Sequence, residues 1–308
     1  MKILVTGGLG AVGAPLVDLL RARGDEVWVL DRPHHHGLKG AYYFRGDVGE
    51  FRQVEVIMNR VKFDFVYHAA AEFGRVNGED FYETMWKSNA VGTKNMLRLQ
   101  EKHRYRMVVF SSSEIYGDWN DLMLEDVPDQ HPIQQMNDYA ISKWVNELQV
   151  RNSISVQGTE TVVVRLFNTY GPGESFSEYR SVICKFIYSA LHDLRYTVYL
   201  NHHRTSSYTD DTCRTLAEIS RRFIPGRVYN IAGTTYHDIK TVSDMILAQV
   251  GRDDSLVSYV EEEVHNTRDK KTSAERAIEE LGHRETVGLE EGLRRTIEWQ
   301  RNYYGVRA

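Results

Sequence analysis

A doubly wound α/β fold, with a parallel sheet and a smaller α/β substrate-binding lobe beside it, is the architecture this sequence predicts. Three observations carry that expectation. A glycine-rich turn directly follows the first strand-like run, short apolar runs alternate with helical patterns through the first half of the chain, and the alternation loosens beyond about residue 168.

Residues 2–6 (KILVT) are a short apolar run, and from 11 to 23 apolar residues recur at helical spacing, so the chain opens strand, turn, helix. The pattern then repeats. Segments 27–30, 65–68, 107–111 and 161–166 read as strands, 81–101 as one long helix and 139–155 as another. Strands separated by helices imply right-handed crossovers and a parallel sheet of Rossmann type. Residues 1–168 are therefore expected to form a dinucleotide-binding domain and 169–308 mainly the smaller lobe. A Gly-Pro-Gly turn at 171–173 and a helix at 182–191 begin the lobe. The stretch 205–235 is expected to return to the first domain, because 227–231 again looks like a strand. No internal repeat or low-complexity linker is visible.

At 308 residues the chain can bury a sizeable core, and its formal net charge of -5 argues against a protein that tracks nucleic-acid phosphates. Cys184 and Cys213 are the only cysteines and lie far apart in sequence. No charged-then-apolar leader precedes the first strand, and no apolar run approaches the length of a membrane span. Cytoplasmic residence is the expectation.

Gly7, Gly10 and Gly13 stand in TGGLGAVG, between the first strand and the first helix. Small residues there permit the tight turn, let backbone approach a pyrophosphate, and bring helix close to strand. Asp31 ends the second strand, where a carboxylate accepts from both adenosine ribose hydroxyls and repels a ribose phosphate. The turn therefore favours NAD over NADP, a preference that the adjacent Arg32 weakens. Asp47-Val48 is a candidate to place a carboxylate near the adenine amino group. The run His34-His35-His36 looks like a metal tract, but three consecutive loop residues do not converge on one ion unaided, so no metal is expected.

Tyr139-Ala140-Ile141-Ser142-Lys143 puts a tyrosine and a lysine one helical turn apart on the same face. A phenol is a poor base at neutral pH, and a neighbouring ammonium favours its ionised form. A serine-rich strand end at 111–113 completes the candidate constellation.

With TGGLGAVG, Asp31, Asp47-Val48, His68-Ala69-Ala70, Asn89, Gly92-Thr93, SSSEIYG, YAISK and RLFNTYGPG in this order, nearly the whole chain resembles a known family. It is that of the extended short-chain dehydrogenase/reductases that act as nucleotide-sugar epimerases, dehydratases and decarboxylases. The resemblance implies NAD as cofactor, bound by Gly7, Gly10, Gly13, Asp31, Asp47, Val48, Ala69, Asn89, Tyr139 and Lys143. It implies a nucleoside-diphosphate sugar as substrate, with Tyr139 as acid/base, Lys143 on the nicotinamide ribose, and Ser112 hydrogen-bonded to the sugar hydroxyl that is oxidised. Asn168 and Arg204 are similar to residues that hold the sugar or diphosphate, and Arg268 is a weaker second candidate. A homodimer through 81–101 and 139–155 is also implied, with Met85, Trp86, Trp144 and Leu148 as its apolar residues.

Two positions bear on the reaction. Glu114 resembles the glutamate that follows Ser or Thr in dehydratases and UDP-glucuronate decarboxylases, whereas epimerases often carry a small residue there. It leans the expectation towards dehydration or decarboxylation, with 4-epimerisation and plain dehydrogenation as alternatives. Ser113 stands where the dTDP-glucose 4,6-dehydratases usually carry an acidic Asp, a departure that speaks against a straightforward member of that group. After Arg204, Thr205-Ser206-Ser207 replaces the common acidic and aromatic residues, so the sugar pocket is expected to have its own shape.

Overall fold

The computed structural model describes residues 1–34, 37 and 40–306. His35 and His36 of the histidine run lie outside the described residues. Strands β1 (Lys2–Thr6), β2 (Glu26–Asp31), β3 (Tyr42–Arg45), β4 (Phe65–His68), β5 (Arg106–Ser112), β6 (Thr161–Leu166) and β7 (Val228–Ile231) form one seven-stranded sheet, in the order β7-β6-β5-β4-β1-β2-β3. All six pairings in it are parallel. The order reverses direction between β1 and β4, which opens a crevice at their carboxyl ends.

These strands are apolar on both sides because helices cover both faces. Ile3, Val5, Phe65, Tyr67, Val108, Phe110, Val162 and Val164 pack into one core. Their alternating neighbours Leu4, Val66, Met107, Val109 and Val163 pack into the other. Helix α1 (Gly13–Ala22) and the helix Thr209–Ile219 cover the first face, joined there by Ala277 and Leu281. Helices α2 (Gly92–His103) and α3 (Asp138–Gln157) lie side by side on the second. Cys184 and Cys213 are buried and unpaired.

Strand β3 and the helix Phe51–Arg60 escape the sequence reading. Tyr42–Arg45 is an edge strand, short and half-exposed, and is held by the stacking of Trp28 on Tyr42 and Phe44 rather than by an apolar run. The single helix expected over 81–101 is three windings: Tyr82–Trp86, a wide π turn at Lys87–Val91, then α2. The extra residue of a π turn leaves apolar periodicity nearly intact, so sequence cannot see it. Here it presents Asn89 to the crevice wall.

Beyond residue 168 a separate cluster of Ile183, Phe186, Ile187, Val198, Val242 and Ile246 forms the core of the lobe. A three-stranded sheet there places His203–Thr205 between Tyr236–Asp238 and Asp269–Lys270. Among the described residues no helix is long and apolar enough to cross a membrane, and no group of three or more His, Cys, Asp or Glu could hold a metal ion.

Candidate active site

The glycine turn folds as its spacing requires. Gly7 has φ +70, and a Cβ on it would lie 2.7 Å from the Ala70 nitrogen. A Cβ on Gly13 would overlap the carbonyl oxygen of Gly7, so this glycine brings α1 against the turn and is itself buried. A cleft of about 350 Å³ lies above the turn, lined by Gly7, Gly10, Asp31, Asp47, Val48 and Ala69. Asp31 is held at its wall by the Leu9 and Arg32 amides, at 2.9 and 2.8 Å. Asp47 accepts from the Gly49 amide at 2.8 Å. Backbone-lined turn, carboxylate at the end of β2 and apolar wall together fit NAD.

Asn89 does not line this cleft. It is fully buried, accepts from the Glu72 amide at 2.8 Å, and donates to the Glu72 carbonyl and to Ser142 Oγ, both at 3.0 Å. Its observed part is to fix the 69–73 wall to α3. His68, bonded to Thr6 and Thr93 in the same wall, is pushed down to about 3 by burial and is neutral.

Tyr139 and Lys143 project from the first turns of α3, whose amino end is capped by Asn137 accepting from the Ala140 amide at 2.9 Å. Burial holds the Tyr139 hydroxyl protonated, above the ordinary phenol range; a hydrogen bond with Ser112 pulls it down and the Glu114 charge pushes it further up. Lys143 donates to the Phe110 carbonyl at 2.9 Å and lies 5.8 Å from the Tyr139 ring centre. Its ammonium is pushed down to about 8 by burial, which the Glu147 charge opposes. Burial is thus the largest influence on the phenol, and it favours the neutral form. The edge of Phe73 packs against the Tyr139 ring, with centres 5.9 Å apart.

Ser112 Oγ accepts from the Glu114 amide at 3.2 Å and so starts the tight turn Ser113–Tyr116 that projects Glu114. The Glu114 carboxylate is in direct contact with Lys270 Nζ. Burial alone would raise it; Lys270, and then Arg204, hold it below the ordinary carboxylate range.

Sequence reading missed Lys270, which stands in the charged run Arg268-Asp269-Lys270-Lys271 and there looks like a solvated surface. A two-residue strand carries it inside, where it pairs with Arg204 across the sheet and is 1% exposed. Arg204, also buried, donates to the carbonyls of His203 and Arg268 at 2.9 and 2.6 Å. Arg268 thus gives the site a backbone oxygen, while its own side chain is half-exposed beside Glu262. Asn168 sits at φ +40 and donates to the Thr205 carbonyl at 3.2 Å, joining the end of β6 to the Arg204 strand.

Under the site runs a second network that sequence reading did not find. Arg165, an arginine inside the apolar strand β6, makes a two-pronged pair with Glu147 at 3.0 and 2.8 Å, and both are fully buried. Ser111 Oγ donates to the same carboxylate at 2.5 Å. The other side of the guanidinium reaches the Tyr116 hydroxyl at 2.9 Å and the Glu125 carbonyl at 2.7 Å. Strand β5, the Glu114 turn and α3 are thereby fixed to one another.

The chain matches the model of the NAD dependent epimerase/dehydratase family over residues 3–232. It is 30% identical over 322 aligned positions to UDP-glucuronic acid decarboxylase 1 of Xenopus tropicalis, covering 97% of this chain and 72% of that protein. It is 28% identical over 320 positions to dTDP-glucose 4,6-dehydratase of Streptomyces antibioticus, covering 98% and 93%. The fold superposes with a TM-score of 0.89 on dTDP-glucose 4,6-dehydratase DesIV of Streptomyces venezuelae, solved with NAD bound, at 25% identity over 99% of this chain and 98% of that one.

Proposed function

Because this chain belongs to the NAD dependent epimerase/dehydratase family, we propose that it takes a nucleoside-diphosphate hexose through a 4-keto intermediate and then eliminates the oxygen at C6. NAD, when bound, accepts the C4 hydride, carries a positive ring charge while oxidised, and later gives the hydride back. The protein's own residues do the rest. Tyr139 takes the C4 hydroxyl proton with Ser112 bonded to the same oxygen, Lys143 holds the ribose beside it, and Arg204 meets the diphosphate. Asn168 ties the diphosphate strand to the sheet.

The observation that carries elimination is the Glu114 carboxylate, ionised and two residues beyond Ser112. The ketone acidifies C5, and an ionised carboxylate at the sugar end is the base that C5 requires. A 4-epimerase only turns the keto sugar and recovers its hydride, which leaves Glu114 without a task. The 30% identity to a UDP-glucuronic acid decarboxylase favours a second reading, loss of carbon dioxide from a 4-keto uronate. That step needs no base. Incubation with UDP-, dTDP-, GDP- and CDP-linked hexoses and uronates, read by mass and NMR, tests the assignment. Elimination is expected to remove one water from a hexose; unchanged mass supports epimerisation, and loss of carbon dioxide from a uronate the second reading.

The same family reading supports a homodimer. Val91, Ile141 and Leu148 are 41%, 38% and 46% exposed on the adjoining helical segments, and Ile141 and Leu148 are two turns apart on one face. Met85, expected in the interface, is fully buried within the protomer. Leu148→Arg is expected to convert a dimer into a monomer by light scattering; a monomeric parent at micromolar concentration would refute the assembly.

A further inference from the structure

The elimination reading leaves one requirement open, the proton that the departing C6 oxygen needs, since Ser113 occupies the position of the usual acid. We propose that Lys270 supplies it, so that acid and base are the contacting pair Lys270 and Glu114, brought together from segments 156 residues apart.

The geometry suits the chemistry. A hydrogen on C5 and an oxygen on C6 sit on adjacent carbons, so the groups that remove the one and protonate the other must be neighbours. Glu114 and Lys270 are in hydrogen-bond contact. Glu114 projects from the turn that Ser112 starts, and Lys270 stands next to Arg204 on the adjoining strand. An ammonium has three donors, and the hydrogen bond to Glu114 is the only one found for Lys270 among the described residues. Two cations side by side across a sheet, both buried, are costly to fold. Such an arrangement makes sense where the charges are used. Burial lowers the Lys270 ammonium from its ordinary value, which makes it a readier donor than a surface lysine.

In the step itself the Glu114 carboxylate takes the C5 proton, and the C5–H electron pair becomes the second bond of C5=C6. The C6–O bond breaks with its pair on oxygen, Lys270 gives that oxygen a proton, and water leaves. Glu114 is then a neutral acid and Lys270 a neutral amine. One proton passed along their own hydrogen bond restores both charges, so no further reactant is consumed.

The test compares wild type, Lys270→Met and Glu114→Gln on a 6-hydroxy nucleotide-hexose that the wild type dehydrates and on its 6-fluoro analogue, with C5 deuterium uptake from heavy water as a second readout. Fluoride departs without a proton. Because Lys270→Met also removes the cation that lowers Glu114, the comparison is made across pH: at the alkaline end, where Glu114 is again ionised, the variant is expected to lose about 100-fold in elimination from the hydroxy sugar, to keep C5 exchange, and to recover to within about tenfold of wild type on the fluoro sugar. Glu114→Gln is expected to fail on both sugars and to lose C5 exchange. Equal loss of Lys270→Met on both sugars would assign Lys270 a structural part and overturn the proposal, as would near-normal turnover of the hydroxy sugar. A wild type that removes water from no nucleotide-hexose overturns the elimination reading itself, a result seen before any variant is made.

Discussion

Tyr139→Phe is expected to slow oxidation at C4 by about 1,000-fold, the upper part of the range for losing a positioned acid/base group. The phenol oxygen is the acceptor beside Ser112, and phenylalanine keeps the ring that packs against Phe73. The fold should therefore survive. Burial, and to a smaller extent the Glu114 charge, hold the hydroxyl above the ordinary phenol range. Ser112→Ala should cost less, since Ser112 bonds to the reacting oxygen but carries no proton away. Single-turnover appearance of reduced nicotinamide absorbance measures both. A Phe variant within tenfold of wild type would remove Tyr139 from its assigned part.

The largest loss of stability is expected from Arg165→Met, about 3–5 kcal/mol by urea denaturation. The substitution leaves the Glu147 carboxylate buried and without its cation, and frees the Tyr116 hydroxyl and the Glu125 carbonyl. The double variant Arg165→Met/Glu147→Leu should recover much of the loss, because an apolar pair needs no compensation for a buried charge. Activity in the folded double variant should nevertheless fall. Ser111 would have lost the acceptor that fixes the end of β5, and Ser112 is the next residue. A single variant destabilised by less than about 1 kcal/mol would show that the pair is not the internal tie described.

What the sequence disclosed and what it hid follow from the range of the interactions. TGGLGAVG, the strand before it and Asp31 are local chemistry, so the turn and its carboxylate wall were legible. The same holds for Tyr139 and Lys143, whose spacing on one helix is fixed by helical geometry alone. Lys270 was not legible, because only a two-residue strand paired with His203–Thr205 turns a charged run inward. Asn89 was read as a ligand-facing residue. The π turn instead gives it to the Glu72 backbone. Arg165 did leave a signal: a charge within TVVVRL requires a buried partner, and Glu147, one turn beyond Lys143, is the carboxylate that meets it.

The most direct measurement follows a label. A nucleotide-hexose carrying deuterium at C4 is to be converted by the enzyme with its bound NAD, and the product examined by NMR. Oxidation at C4 followed by elimination predicts that the deuterium appears at C6 of a 4-keto-6-deoxy sugar. Deuterium back at C4 would identify an epimerase, and deuterium lost to free reduced nicotinamide a dehydrogenase. Either result would contradict the central claim.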